Sequence, residues 1–162
     1  MEPLYTTQTA NTYEEFKRWN YALNKTRFIL LGILLLLFIG IMTAYYLLHL
    51  ISAATLFLSV FLTALIFVVF IALVSKTIKD TYYSNRSLLR FPVVSVNFYE
   101  DRLESDNKQQ FSKYDYEDIF KILETKTNFY IMVSANTGII IVKQNCSQEL
   151  ISFIQKLKNH RK

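Results

Sequence analysis

The side chains with which this chain could do chemistry are few and scattered. Besides its three methionines, the soft donors are one cysteine, Cys146, and two histidines, His49 and His160. A zinc site or a Cys–His nucleophile needs such groups to converge, and His49 and His160 are expected on different sides of a membrane. Carboxylates cluster twice, as Glu100, Asp101, Glu104 and Asp106 and as Asp115, Glu117 and Asp118. Paired carboxylates can do acid–base work, but these runs fall in expected turns, where solvated charge keeps small sheets from pairing with other chains. Gly32 and Gly40 lie in an uncharged stretch, which leaves only Gly138 elsewhere. No glycine-rich phosphate cradle can form, and neither G-x-S-x-G nor H-E-x-x-H occurs. These absences point to a non-enzyme with no cofactor and no metal. The lone cysteine fits a reducing compartment and packing near the last helix.

The elements that would position these groups follow from charge segregation. Of 162 residues, 18 are Lys or Arg and 13 are Asp or Glu, yet residues 28–75 contain none of them. At about 1.5 Å per residue one straight helix of that length would reach roughly 70 Å, against a hydrocarbon core of about 30 Å. The stretch must turn back once, and His49 and Ser52, preceded by Tyr45 and Tyr46, mark the turn. Two spans near 28–48 and 54–75 are expected, as a hairpin in the cell membrane. Lys17, Arg18, Lys25 and Arg27 precede the first span and Lys76, Lys79, Arg86 and Arg90 follow the second, so both termini are expected in the cytoplasm. Ser52, Thr55, Ser59 and Thr63 line one face of the second span. Gly40 and Ala44 form a small-x-x-x-small pair on the first, level with Ser59 and Leu56. Close helix packing is the main reading of these six residues, and a polar path or a homo-oligomer face is the alternative.

Residues 1–11 read as a loose tail and 12–27 as an amphipathic approach helix. Thr12-Tyr13-Glu14-Glu15 fits a capping box, in which Thr12 and Glu15 satisfy each other's backbone N–H groups. Tyr13, Phe16 and Leu23 share a stripe with Trp19 at its edge. That stripe fits either the lipid headgroup boundary or the protein's own cytoplasmic domain. Residues 76–91 read as a basic connector ended by Pro92. Trp19, Lys25, Arg27, Lys76, Lys79, Arg86 and Arg90 together suggest a surface facing an anionic inner leaflet rather than nucleic acid.

From residue 92 the hydrophobic period becomes two. Val94, Val96 and Phe98 alternate with Ser95 and Asn97, and further strands are expected near 102–106, 109–114, 119–125, 128–134 and 138–143. Five or six strands at this spacing read as one antiparallel meander. Ser147 then caps a helix whose Leu150, Phe153, Ile154 and Leu157 fall on one face, with Lys156, Lys158, Arg161 and Lys162 at its C-terminal end. Tyr114 and Tyr116 fit either the core or a recognition patch. The fold class expected is α+β: a two-helix transmembrane hairpin followed, over 92–162, by an antiparallel sheet with a C-terminal helix.

Specific phrases now carry a family resemblance. SNRSLL ahead of the sheet, VSVNFYEDRLES at its start and YDYEDIFKILETKTNFYIMVSANTGIIIVK beyond it resemble the cytoplasmic half of the YcxB-like family of small bacterial membrane proteins, and TYEEFKRWN with two adjacent spans fits the same family. The resemblance implies a pleckstrin-homology-like cytoplasmic domain on a helical hairpin, and brings no established catalytic residue or ligand. By analogy with bacterial membrane proteins that carry similar modules, it also implies a binding module at the inner leaflet, one version being self-immunity to a bacteriocin. The partners expected are the anionic bilayer and an unidentified protein or peptide, with no nucleic acid. From a different class, the chain could be a subunit of an oligomeric transporter or pore.

Overall fold

A computed structural model describes residues 2–160, apart from the side chain of Ser87, so Arg161 and Lys162 of the expected basic helix end lie outside the described residues. The order of elements is β1 (Tyr5–Ala10), α1 (Tyr13–Leu47), α2 (Ala53–Ser84), α3 (Arg86–Arg90), β2 (Val93–Phe98), β3 (Arg102–Asp106), β4 (Phe111–Asp115), β5 (Lys121–Glu124), β6 (Asn128–Met132), β7 (Gly138–Val142) and α4 (Gln148–Asn159). The chain divides into two compact units. Residues 23–81 form one. The other is discontinuous, built from residues 1–22 and 82–162.

The discontinuous unit holds two antiparallel sheets, β1-β2-β3-β4 and β5-β6-β7. The single expected meander is interrupted because a 3-10 turn over Tyr116–Asp118 takes the chain from one sheet to the other. Val96, Phe98 and Leu103 face Phe129, Ile131 and Ile141, and Leu150 and Ile154 of α4 complete this core. Ser147 caps α4 by accepting the N–H of Leu150 at 3.2 Å, as its sequence position requires.

The expected loose tail is a strand. β1 pairs antiparallel with the whole of β2, from Tyr5 opposite Phe98 to Ala10 opposite Val93. Its alternation was hidden because the inward residues are Thr7 and Thr9, both buried, rather than aliphatic side chains. Their hydroxyls close the gap to the second sheet. Thr7 Oγ1 donates to Asn145 O at 3.0 Å, and Thr9 Oγ1 accepts the Val142 N–H at 3.4 Å.

In the other unit, α1 and α2 turn back at residues 48–52. His49 has φ +58° there. The Leu50 N–H donates to Tyr45 O and the His49 N–H to Tyr46 O, both at 2.9 Å, which is a Schellman closure around a left-handed residue. Both helices are long and apolar enough to cross a membrane, with mean hydropathy 2.6 and 3.0 over their most apolar stretches, and neither stretch is buried. The stretches expected as an approach helix and a first span belong to one continuous helix, α1.

Candidate functional site

The approach stripe lies on the domain. Outward from the core, β6 presents Asn128, Tyr130 and Met132, all buried. Residues in the first two turns of α1 meet two of them: Asn128 Nδ2 donates to Glu15 Oε2, and the Trp19 indole N–H reaches Met132 Sδ at 3.5 Å. Phe16 packs on Trp19 and on Tyr82, with ring centroids 5.5 and 5.6 Å apart. Tyr13 meets Tyr82 and Tyr83, and the Tyr82 hydroxyl donates to Asn11 O at 3.0 Å. An aromatic clamp therefore joins the start of α1 and the end of α2 to the second sheet. Of the two readings of the stripe, packing on the protein's own domain is the one found. Trp19, expected at lipid, is half-buried in this clamp.

The capping box forms in one direction only. Thr12 Oγ1 accepts the Glu15 N–H at 3.3 Å, whereas the Glu15 carboxylate turns to Asn128 and to Arg18, whose guanidinium donates at 2.8 Å. Asn128 Oδ1 is buried and has no hydrogen-bond partner among the described residues. Burial raises the Tyr130 hydroxyl pKa beside this cluster, with the Glu15 charge adding to the shift.

A second polar node fastens α4. Glu124 on β5 accepts from Lys143 Nζ at 2.8 Å, Lys158 Nζ at 2.7 Å and Gln155 Nε2 at 2.9 Å. These bonds hold its pKa at about 2. Lys143 also lies 4.4 Å from the centroid of the Phe129 ring. The sequence offered no local signal for this node, because its members lie up to 34 residues apart.

The remaining expected site residues divide between the units. Lys25, Arg27, Lys76 and Lys79 are exposed on the helical unit, and Arg86 and Arg90 are exposed at the two ends of α3 on the other. The small and hydroxyl residues expected to pack divide in two: Ser59 and Thr63 are half-buried, and Gly40, Ala44, Ser52 and Thr55 are exposed. The half-buried row on α1 is Phe28, Leu31, Gly32, Leu35, Ile39 and Met42, so Gly40 and Ala44 fall off it and are exposed. A Cβ at Gly40 would meet nothing within 4 Å. On α2, Ser59 and Thr63 are half-buried, yet each hydroxyl donates to a carbonyl of its own helix, Leu56 O and Ser59 O, at 2.8 Å. Ser52 and Thr55 are exposed and bond each other at 3.0 Å. The seam therefore pairs mainly large side chains of α1 with Leu56, Ser59 and Thr63 of α2, and Phe28 meets Phe70 at 6.4 Å.

Among the carboxylates, Glu104 pairs with Arg102 Nε at 2.9 Å, which lowers its pKa, and the guanidinium lies 4.5 Å from the Tyr99 ring centroid. Tyr116 is core: its hydroxyl donates to Tyr99 O at 2.7 Å, and burial drives its pKa well up. Tyr114 packs at the margin of the same core. Cys146 is half-buried, near Thr7 and Val142, and burial raises its thiol pKa. Among the described residues no three His, Cys, Asp or Glu side chains gather as metal ligands.

Fold and site together define a small α+β protein: seven antiparallel strands closed by a helix, with two long apolar helices inserted between its first and second strands. Within it, residues 98–157, from the end of β2 into α4, match the family model described as YcxB-like protein. The resemblance read from the phrases above holds over that segment. Neither the comparison with curated proteins nor that with solved structures returns a match.

Proposed function

We propose that this is a non-enzymatic protein of the bacterial cytoplasmic membrane, in which the two apolar helices cross the bilayer as a hairpin and carry a pleckstrin-homology-like recognition module on the cytoplasmic side. One observation carries the reading: β1, ahead of α1, pairs along its length with β2, behind α2. If the helices span a bilayer, that pairing requires both flanks on one side, and the basic residues around the spans name the cytoplasmic side. Two antiparallel sheets closed by a C-terminal helix support the pleckstrin-homology-like assignment. The Glu15–Asn128 and Glu124 clusters support a non-enzymatic role, since both spend their hydrogen bonds on joining elements. Recognition of a toxin, as in bacteriocin self-immunity, is the specific form proposed.

Two measurements test it. Protease added outside intact cells should spare residues 82–162, and protease added to inverted vesicles should remove them; the opposite pattern overturns the orientation. Expression in a bacteriocin-sensitive strain should lower killing by a membrane-active bacteriocin, and unchanged killing across a panel would remove the immunity form.

A further inference from the structure

The sheet edges of the domain are closed unequally. The β1 and β7 edges cover each other through Thr7, Thr9 and Asn145, whose Nδ2 donates to Gln8 O at 2.8 Å. At the end of β5, Glu124 accepts bonds from Lys143 and from Gln155 and Lys158 of α4, which ties that end of the strand to the helix. No comparable cover lies along β4 among the described residues.

The phase of the β4 ladder follows from the bonds at its two ends. The Asn107 N–H donates to Gln110 O and the Tyr116 N–H to Asp101 O, and both pairs continue the β3–β4 register. Bonded pairs alternate along an antiparallel ladder, so Ser105–Ser112 and Leu103–Tyr114 are the bonded ones between them. Phe111 and Lys113 therefore turn both backbone polar groups away from β3, and Asp115 turns its N–H the same way. The side chains of these three residues are exposed, that of Phe111 to 63%. The strand has no proline, and its register with β3 runs unbroken over all five residues; the edge device it does carry is charge, Lys113 and Asp115 on the outward positions, which bars strands that lack the opposite charges.

We propose that the β4 edge accepts an extended segment of a partner protein as an added antiparallel strand, with an apolar residue opposite Phe111, a carboxylate opposite Lys113 and a cation opposite Asp115. Main-chain bonds supply affinity in this mode and alternate side chains supply selectivity. A second copy fits less well, because symmetric pairing centred on this strand sets Lys113 against Lys113, and like charges directly opposite are destabilising. The inference rests on the recognition role proposed above and gives its partner a chemistry. It does not require the helices to cross a bilayer, so the protease test and the one below can fail separately.

The test uses the full chain in lipid nanodiscs and the blocked peptide Thr-Lys-Thr-Glu-Thr-Val-Thr at millimolar concentration. Amide exchange followed by NMR should slow at Phe111, Lys113 and Asp115. The Lys113→Glu variant should bind this peptide about three- to fivefold more weakly, and a peptide with Lys in place of its Glu should recover the loss. Unslowed exchange at Phe111 and Lys113, or a Lys113→Glu variant that binds both peptides alike, overturns the proposal. So does slowing that appears without peptide as protein concentration rises, which would assign the edge to a second copy.

Discussion

Glu124 takes hydrogen bonds from Lys143, Lys158 and Gln155 at once, and its pKa falls from 4.5 to about 2. A carboxyl whose pKa is lower in the folded chain adds stability above its unfolded pKa and loses it as pH falls through the folded one. Glu124→Gln should therefore cost about 1–2 kcal/mol at pH 7, allowing for solvent screening at a partly exposed site. The gap between the two proteins should shrink between pH 5 and pH 2, and paired thermal melts would read it. Glu15→Ala strands the buried Asn128 amide and should cost about 1–3 kcal/mol. Trp19 is the one tryptophan and rests on Met132, so its fluorescence should report whether the clamp has loosened. How much of this was legible depended on range. The Ser147 cap and the His49 turn are local and could be read directly. Glu15 was read with its nearest partner, Thr12, because nothing in sequence announces Asn128, 113 residues away.

Elements show the same division. Strands β2 to β7 were legible to within a few residues, β2 because its apolar and polar side chains alternate and the others as short segments set off by turn residues such as Asn128 and Asn136-Thr137-Gly138. β1 was not, since its inward positions are threonines satisfied by hydroxyl bonds to the second sheet. The β6–β7 pair depends on Gly138, where a Cβ would sit 2.7 Å from Ile131 O and 2.9 Å from Met132 Sδ. Gly138→Ala should part these strands and cost about 1–3 kcal/mol, seen as a lower melting temperature and faster amide exchange along β7. Gly40→Ala should do the reverse. With open space around it and no close helix partner, it gains helix propensity of about 1 kcal/mol and should leave the melting temperature unchanged or raised. The small-x-x-x-small pattern records only that two backbones could approach, and here the half-buried row of α1 runs through Leu31, Leu35 and Ile39, so Gly40 and Ala44 fall outside it.

At the scale of the whole molecule, the domain was drawn from sequence as one contiguous stretch after the hairpin, yet its first strand lies before it. Pattern reading works within a window, and Tyr5 finds Phe98 across 93 positions. Removing residues 2–10 should therefore unfold the sheet rather than trim a tail, with loss of β-sheet circular dichroism and of protease resistance while the apolar helices persist; an intact sheet would contradict the register. The same pairing orders events during synthesis. Between Ala10 and Val93 a ribosome adding about 5–20 residues per second needs some seconds, during which the opening strand has no mate. If the helices cross a bilayer as proposed, a chain whose second apolar helix strays to the wrong side would leave that strand stranded and its successor's edge bare. On that reading, completion of the sheet would inspect helix placement, and misassembled copies would betray themselves to proteases through an unfinished domain.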